Sequence, residues 1–302
     1  MTMQSLIFLL SWILIFQGSL NFPGREKDQH TGIHRINDIA AIESKYGESL
    51  QKLFCYRDRV KSLHPFLKEL HPVAIVENDT FYVFDLDETG NRYVFSRSAP
   101  TGMPVPEGLR AAFPLDFYDN RAACVVTGEV FDNPEGYVTI FHEFMHCHQW
   151  NTVEQGLRRE LPLAVKTMAE PNFMWEMNYP FPYGKPVFEE HYTAFTEALE
   201  MNDPASAILY RRELRNAISS FDYQYMVWQE WKEGFALLVE NMIREHLGLG
   251  RNMVGRRMPY NRTVFYAGGE ALTRSLSRDD PALLTDLEAL FNKMLNFHEN
   301  LD

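Results

Sequence analysis

The five residues His142-Glu143-Phe144-Met145-His146 constrain this chain more tightly than any other stretch. They fit the pattern H-E-x-x-H, whose spacing has chemical meaning only on a helix. There, positions i and i+4 lie about 40° apart around the axis and one turn along it, so two imidazoles can hold one zinc ion. Glu143 falls about 100° round from His142, where it can serve a metal-held water as general base without being a ligand. Two histidines and a glutamate at this spacing also arise by accident on solvated helices, so the surroundings decide. Ala122 to Thr127 reads as a strand, and Asp132-Asn133-Pro134-Glu135 reads as a helix start: a capping Asp or Asn, then Pro in the first turn, then an acidic residue at the positive end of the dipole. The helix begun there carries Val138, Phe141 and Met145 on one face, with His142 and His146 beside it. The motif therefore sits inside a predicted helix that follows a strand, the context a metal site requires.

A catalytic zinc needs a third protein ligand and an open position for water. The extended form H-E-x-x-H-x-x-G-x-x-H is excluded, because Gln149 and Thr152 occupy the Gly and His positions. His148, two residues past His146, points about 200° away and reads as an outer or surface residue. A glutamate from a later helix is the other source. Glu233 stands out, in Trp231-Lys232-Glu233-Gly234-Phe235-Ala236-Leu237-Leu238-Val239-Glu240. Gly234 lets two helices approach closely, and Trp228, Trp231, Phe235, Leu237 and Leu238 mark the helix as buried, where carboxylates require partners. Glu240, seven residues on and about 20° from the same face, suits a hydrogen bond from a ligand imidazole. Glu189, Glu190 and His191 form the alternative ligand set.

HEFMH followed by KEGFALLVE resembles the gluzincins, zinc peptidases with an H-E-x-x-H helix and a glutamate on a second helix. The second segment is similar to the N-E-G-F-A-x-x-x-E stretch of the aminopeptidase-N-like family. The resemblance implies a zincin-like α+β fold, a Zn2+ cofactor held by His142, His146 and Glu233, and Glu240 as an outer carboxylate. It also implies a peptide or protein substrate. It covers about a tenth of the chain, and two departures stand against it. The ligand separation, 233 − 146 = 87 residues, is much longer than in that family, which requires a helical insertion. The G-x-M-E-N stretch that binds a free amine there is absent, so aminopeptidase specificity does not carry over. Tyr266, in Phe265-Tyr266-Ala267-Gly268-Gly269, resembles the segment from which such enzymes stabilise an oxyanion, with core packing as its other reading and Tyr260 as the next donor. Ala122 to Thr127 would be the edge strand on which an extended peptide is laid.

The expected activity is thus hydrolysis of an amide bond by zinc-activated water, with Glu143 as general base. A metal-binding protein without peptidase activity, and a zinc hydrolase acting on another amide or ester, are the alternatives. A formal charge of −12 without bulk Lys or Arg clusters excludes general nucleic-acid and anionic-membrane binders. Leu6 to Phe16 is apolar apart from Ser11, too short to span a bilayer and suited to a signal peptide over residues 1–20, which implies a secreted or periplasmic protein with no membrane span in the mature chain. Cys55, Cys124 and Cys147 lack metal spacing and form no disulfide framework; one bridge and three free thiols both fit, and Cys147 reads as packing.

The remaining sequence predicts an α+β region over residues 21–135 and a mainly helical region over 136–302. Helical spacing runs from Ile33 to Leu70 with breaks near Gly47 and Pro65. Phe81 to Leu86 and Arg92 to Ser96 read as a hairpin. Pro100 to Pro114, Pro162, and Pro171 to Pro186 read as irregular. Helices follow near 187–201, 204–219, 223–247, 263–277 and 280–297.

Overall fold

The computed structural model describes residues 29–170 and 174–299. The signal-peptide reading of residues 1–20 lies outside them. The architecture is α+β, in two compact units: Met1–Ser62 with Leu67–Cys147, and Leu63–Phe66 with His148–Asp302.

In the first unit, α1 (Gln29–Val60) runs unbroken through Gly47. A lone glycine costs an exposed helix only about 1 kcal/mol, and the buried face of Ile42, Tyr46, Leu50, Leu53 and Phe54 outweighs it. The expected break at Pro65 does occur, as a 3-10 turn over Pro65–Lys68. Five strands follow: β1 (Val73–Glu77), β2 (Thr80–Leu86), β3 (Tyr93–Pro100), β4 (Arg110–Leu115) and β5 (Arg121–Thr127). Their order in the sheet is β3-β2-β1-β5-β4. β2 and β3 form the expected antiparallel hairpin, and β1 pairs parallel with β5. Alternate residues Ala74, Val76, Phe81, Val83, Ala123 and Val125 line one packed face with Leu109, Leu115 and Tyr118.

Two strands were hidden in the sequence. β1 offers only the four-residue apolar run Val73 to Val76 behind Pro72, and β4 contains Pro114, which reads as a breaker. β4 is an outermost strand, paired on one side only, where a missing N–H is tolerated. The same order corrects the edge-strand expectation: β5 lies between β1 and β4, with both of its edges paired.

From β5 a 3-10 turn (Gly128–Asp132) leads into α2 (Pro134–Gln149). Asn133 caps it, its side chain accepting from the Gly136 N–H at 2.8 Å. A Cβ on Gly136 would fall 1.7 Å from the Val130 carbonyl oxygen, so the tight return from strand to helix requires glycine there. Val138, Ile140, Phe141, Phe144, Met145 and Cys147 are fully buried. The helix is therefore a core element, and its buried polar residues His142, Glu143, His146 and Gln149 stand out against that apolar setting.

The second unit is helical. After a π turn over Trp150–Glu154 come α3 (Gln155–Glu160), α4 (Pro162–Ala169), α5 (Trp175–Asn178), α6 (Pro186–Glu200) and α7 (Pro204–Ala217). Pro162, expected in an irregular stretch, opens α4 instead, where its missing N–H costs nothing. α8 (Ser220–Gln229) and α9 (Phe235–His246) are joined by a second π turn, Glu230–Gly234, making one long helix as expected. α10 (Val264–Asp279) matches its expected range closely. The last expected helix divides into a 3-10 turn at Pro281–Leu284 and α11 (Leu287–Leu295). Among the described residues no helix is long and apolar enough to cross a membrane.

Candidate metal centre

α2 presents His142, Glu143 and His146, each 7% exposed. The two imidazoles converge: their Nε2 atoms lie 3.2 Å apart. Two nitrogens bound at about 2.1 Å to one tetrahedral ion would stand about 3.4 Å apart, so the pair has the separation a shared cation requires. Cys124 and Cys147 lie within reach of Glu143's field. Burial first, and the Glu143 charge second, push both thiols well above their usual pKa. They stay protonated, and Cys147 packs as expected rather than ligating.

Glu233 belongs to the π turn of the α8–α9 helix, a widened turn of the kind often found where a helix serves a site. Arg262 donates to its Oε1 at 2.9 Å and to Gln229 Oε1 at 3.1 Å. The same guanidinium lies over the Tyr266 ring, 5.3 Å from its centroid. Burial works against the Arg262 charge, but Tyr266 and Glu233 outweigh it and hold its pKa above the usual value.

One potential ligand atom from each of His142, His146 and Glu233 lies within 4.8 Å of the others. Two imidazole nitrogens and one carboxylate are a donor set that zinc accepts, and they leave a tetrahedral position open. The residues present therefore fit the ion. Glu189, Glu190 and His191, on α6, are not in this group. The sequence predicts an outer or surface place for His148. It stacks on Phe66 with ring centroids 3.8 Å apart and belongs to a second such group, with Glu69 and His71, which the sequence did not suggest.

Gly234 plays its expected part, though its partner is α10: a Cβ there would fall 2.4 Å from the Gly269 backbone. Glu240, buried in α9, accepts from Asn252 Nδ2 at 3.0 Å and pairs with Arg244 at 3.5 Å. Tyr266 is half-buried in the first turn of α10, under Arg262. Tyr260 shares a 2.7 Å hydrogen bond with Thr193.

Sequence reasoning missed the polar groups that hold the Glu233 turn. Lys232 Nζ reaches Glu154 at 3.0 Å and Glu176 at 2.8 Å, while Arg158 meets Glu154 at 2.8 Å and also pairs with Glu176. Burial opposes the Glu154 charge, yet Lys232 and Arg158 together hold its pKa below the usual value. These partners are scattered through the sequence with no shared motif, so no local pattern announced them.

No protein-family model matches this chain, and neither does any curated protein or solved structure at a significant level.

Proposed function

We propose that the protein is a zinc-dependent hydrolase, and specifically a peptidase of zincin-like design. The observation that carries the proposal is the convergence of His142 Nε2 and His146 Nε2 beside a carboxylate, Glu233, inside an H-E-x-x-H helix. His142, His146 and Glu233 would hold the ion. When bound, zinc would supply a Lewis acid that polarises a carbonyl and acidifies water.

The remaining work falls to the chain's own side chains. Glu143, one residue from His142 and largely shielded from solvent, accepts a proton from the attacking water and returns it to the leaving amine. Arg262 holds the one ligand carboxylate in a fixed orientation through its 2.9 Å bond to Glu233 Oε1. Tyr266, over whose ring Arg262 lies, would be the phenol that donates to a developing oxyanion.

Glu143→Gln keeps the shape and removes the base. Hydrolysis of a peptide library should fall about 10²–10⁴-fold, while metal content by atomic absorption stays at one ion per chain. Full activity in this variant would refute the role of Glu143. Chelation should abolish activity and added Zn2+ should restore it; activity that survives complete metal removal would refute the zinc-dependent mechanism.

A further inference from the structure

Gln149 closes α2, three residues beyond His146, so the two side chains project from neighbouring positions on one side of the same rigid helix. Gln149 is fully buried. Its Nε2 donates to two main-chain carbonyls, Trp231 O at 3.4 Å and Lys232 O at 3.2 Å. Both carbonyls belong to the π turn Glu230–Gly234, immediately before Glu233. A π turn closes its ring five residues apart rather than four, which moves its carbonyls off the regular helical ladder and frees them to meet a side-chain donor.

The turn is gripped at other points as well. The Trp231 indole donates to the Leu287 carbonyl at 2.9 Å, and Lys232 Nζ binds Glu154 at 3.0 Å and Glu176 at 2.8 Å. Glu154 itself ends the first π turn, Trp150–Glu154, which begins directly after Gln149. The second π turn is therefore tied twice to this stretch, once by the Gln149 amide at the end of α2 and once by the Glu154–Lys232 pair at the end of the first π turn. The residue that would be glycine in the extended H-E-x-x-H motif has here a different task.

We propose that Gln149 is a positioning residue: it locks the main chain on the N-terminal side of Glu233, and so fixes where that carboxylate stands for the metal. The inference rests on the metal-site reading above. The side-chain ties of Trp231 and Lys232 set which way the helix faces. The amide bond acts on the backbone itself, one and two residues from the ligand, and comes from the helix that bears both histidines.

The test is a double-mutant cycle on metal affinity, read by titration of the apoprotein with Co2+ and by its visible absorption bands. Gln149→Met keeps an unbranched side chain of similar length and removes the donor. Gln149→Leu also removes the donor at similar volume, and serves if the methionine variant does not fold, as judged by circular dichroism. In the native background either change should weaken Co2+ binding by about 10–100-fold and alter the intensity of the Co2+ bands. In a Glu233→Ala background the same change should have no further effect on affinity, because the ligand it positions is gone. Equal losses in both backgrounds would overturn the proposal and leave Gln149 a general stabiliser, as would unchanged affinity in the native background. If Glu233→Ala alone binds Co2+ as tightly as the native chain, the metal-site reading fails and this inference with it.

Discussion

His64 shows how far burial alone can move one side chain. Its Nε2 lies 3.0 Å from the Leu284 carbonyl, and its Nδ1 accepts from the Phe66 N–H at 3.3 Å, so the bonding pattern assigns a neutral ring with its proton on Nε2. Burial pushes its pKa down to about 4, against the opposing pull of the Leu284 bond. Because this lies below the ordinary value of about 6.5, the unfolded chain takes up the proton first as pH falls. Stability contributed by the neutral ring is complete above about pH 6.5 and is lost on the way down to about pH 4. The slope is about 1.4 kcal/mol per pH unit, or about 3 kcal/mol over the window. Urea unfolding of the native chain should show this loss, and His64→Gln should flatten that part of the profile. Identical pH profiles for the two proteins would contradict the assignment. At this scale the site was legible where its chemistry is local: His142, Glu143 and His146 needed only the helical repeat. Arg262, Gln149 and Lys232 were not legible, because each acts on Glu233 or its turn from a position that only the folded chain defines.

Among the elements, the helices of the second unit were readable to within a few residues because Pro204 and Pro281 open helical turns and Gly248 follows the end of α9. The sheet was half readable: the aromatic hairpin stood out, while β1 was too short and β4 was disguised by Pro114. Glycine sorts by what surrounds it. At Gly47 a Cβ would meet nothing within 4 Å, so Gly47→Ala should be neutral or should stabilise by up to about 1 kcal/mol through helix propensity. At Gly234 the same methyl would fall 2.4 Å from Gly269 Cα, and main chain cannot rotate out of the way. Over-packing outweighs propensity there, and Gly234→Ala should destabilise by about 2 kcal/mol net. Thermal melts of the pair make the comparison, and equal melting temperatures would show that α10 does not press on the π turn.

For the molecule as a whole, stability owes nothing to covalent cross-links between cysteines. All three are free, Cys55 exposed and Cys124 and Cys147 buried. Titration with a thiol reagent should therefore find one fast-reacting group in the native protein and three after denaturation, and reducing agent should leave the melting temperature unchanged. A native count of none, or a melt that falls on reduction, would indicate a bridge. The two π turns have a consequence of another kind. Each is, arithmetically, a helix with one residue more than a regular ladder holds. The surplus is absorbed within the turn, so deleting one residue of Glu230–Gly234 would close it to the ordinary width and leave Ser220–Gln229 in phase with Phe235–His246. Trp228 and Phe235, both fully buried, would still face inward, but the Trp231 and Lys232 carbonyls would return to the regular ladder and away from the Gln149 amide. A single lost codon there would thus spare the core and move Glu233, so the surplus residue belongs to the placement of that carboxylate and not to the fold.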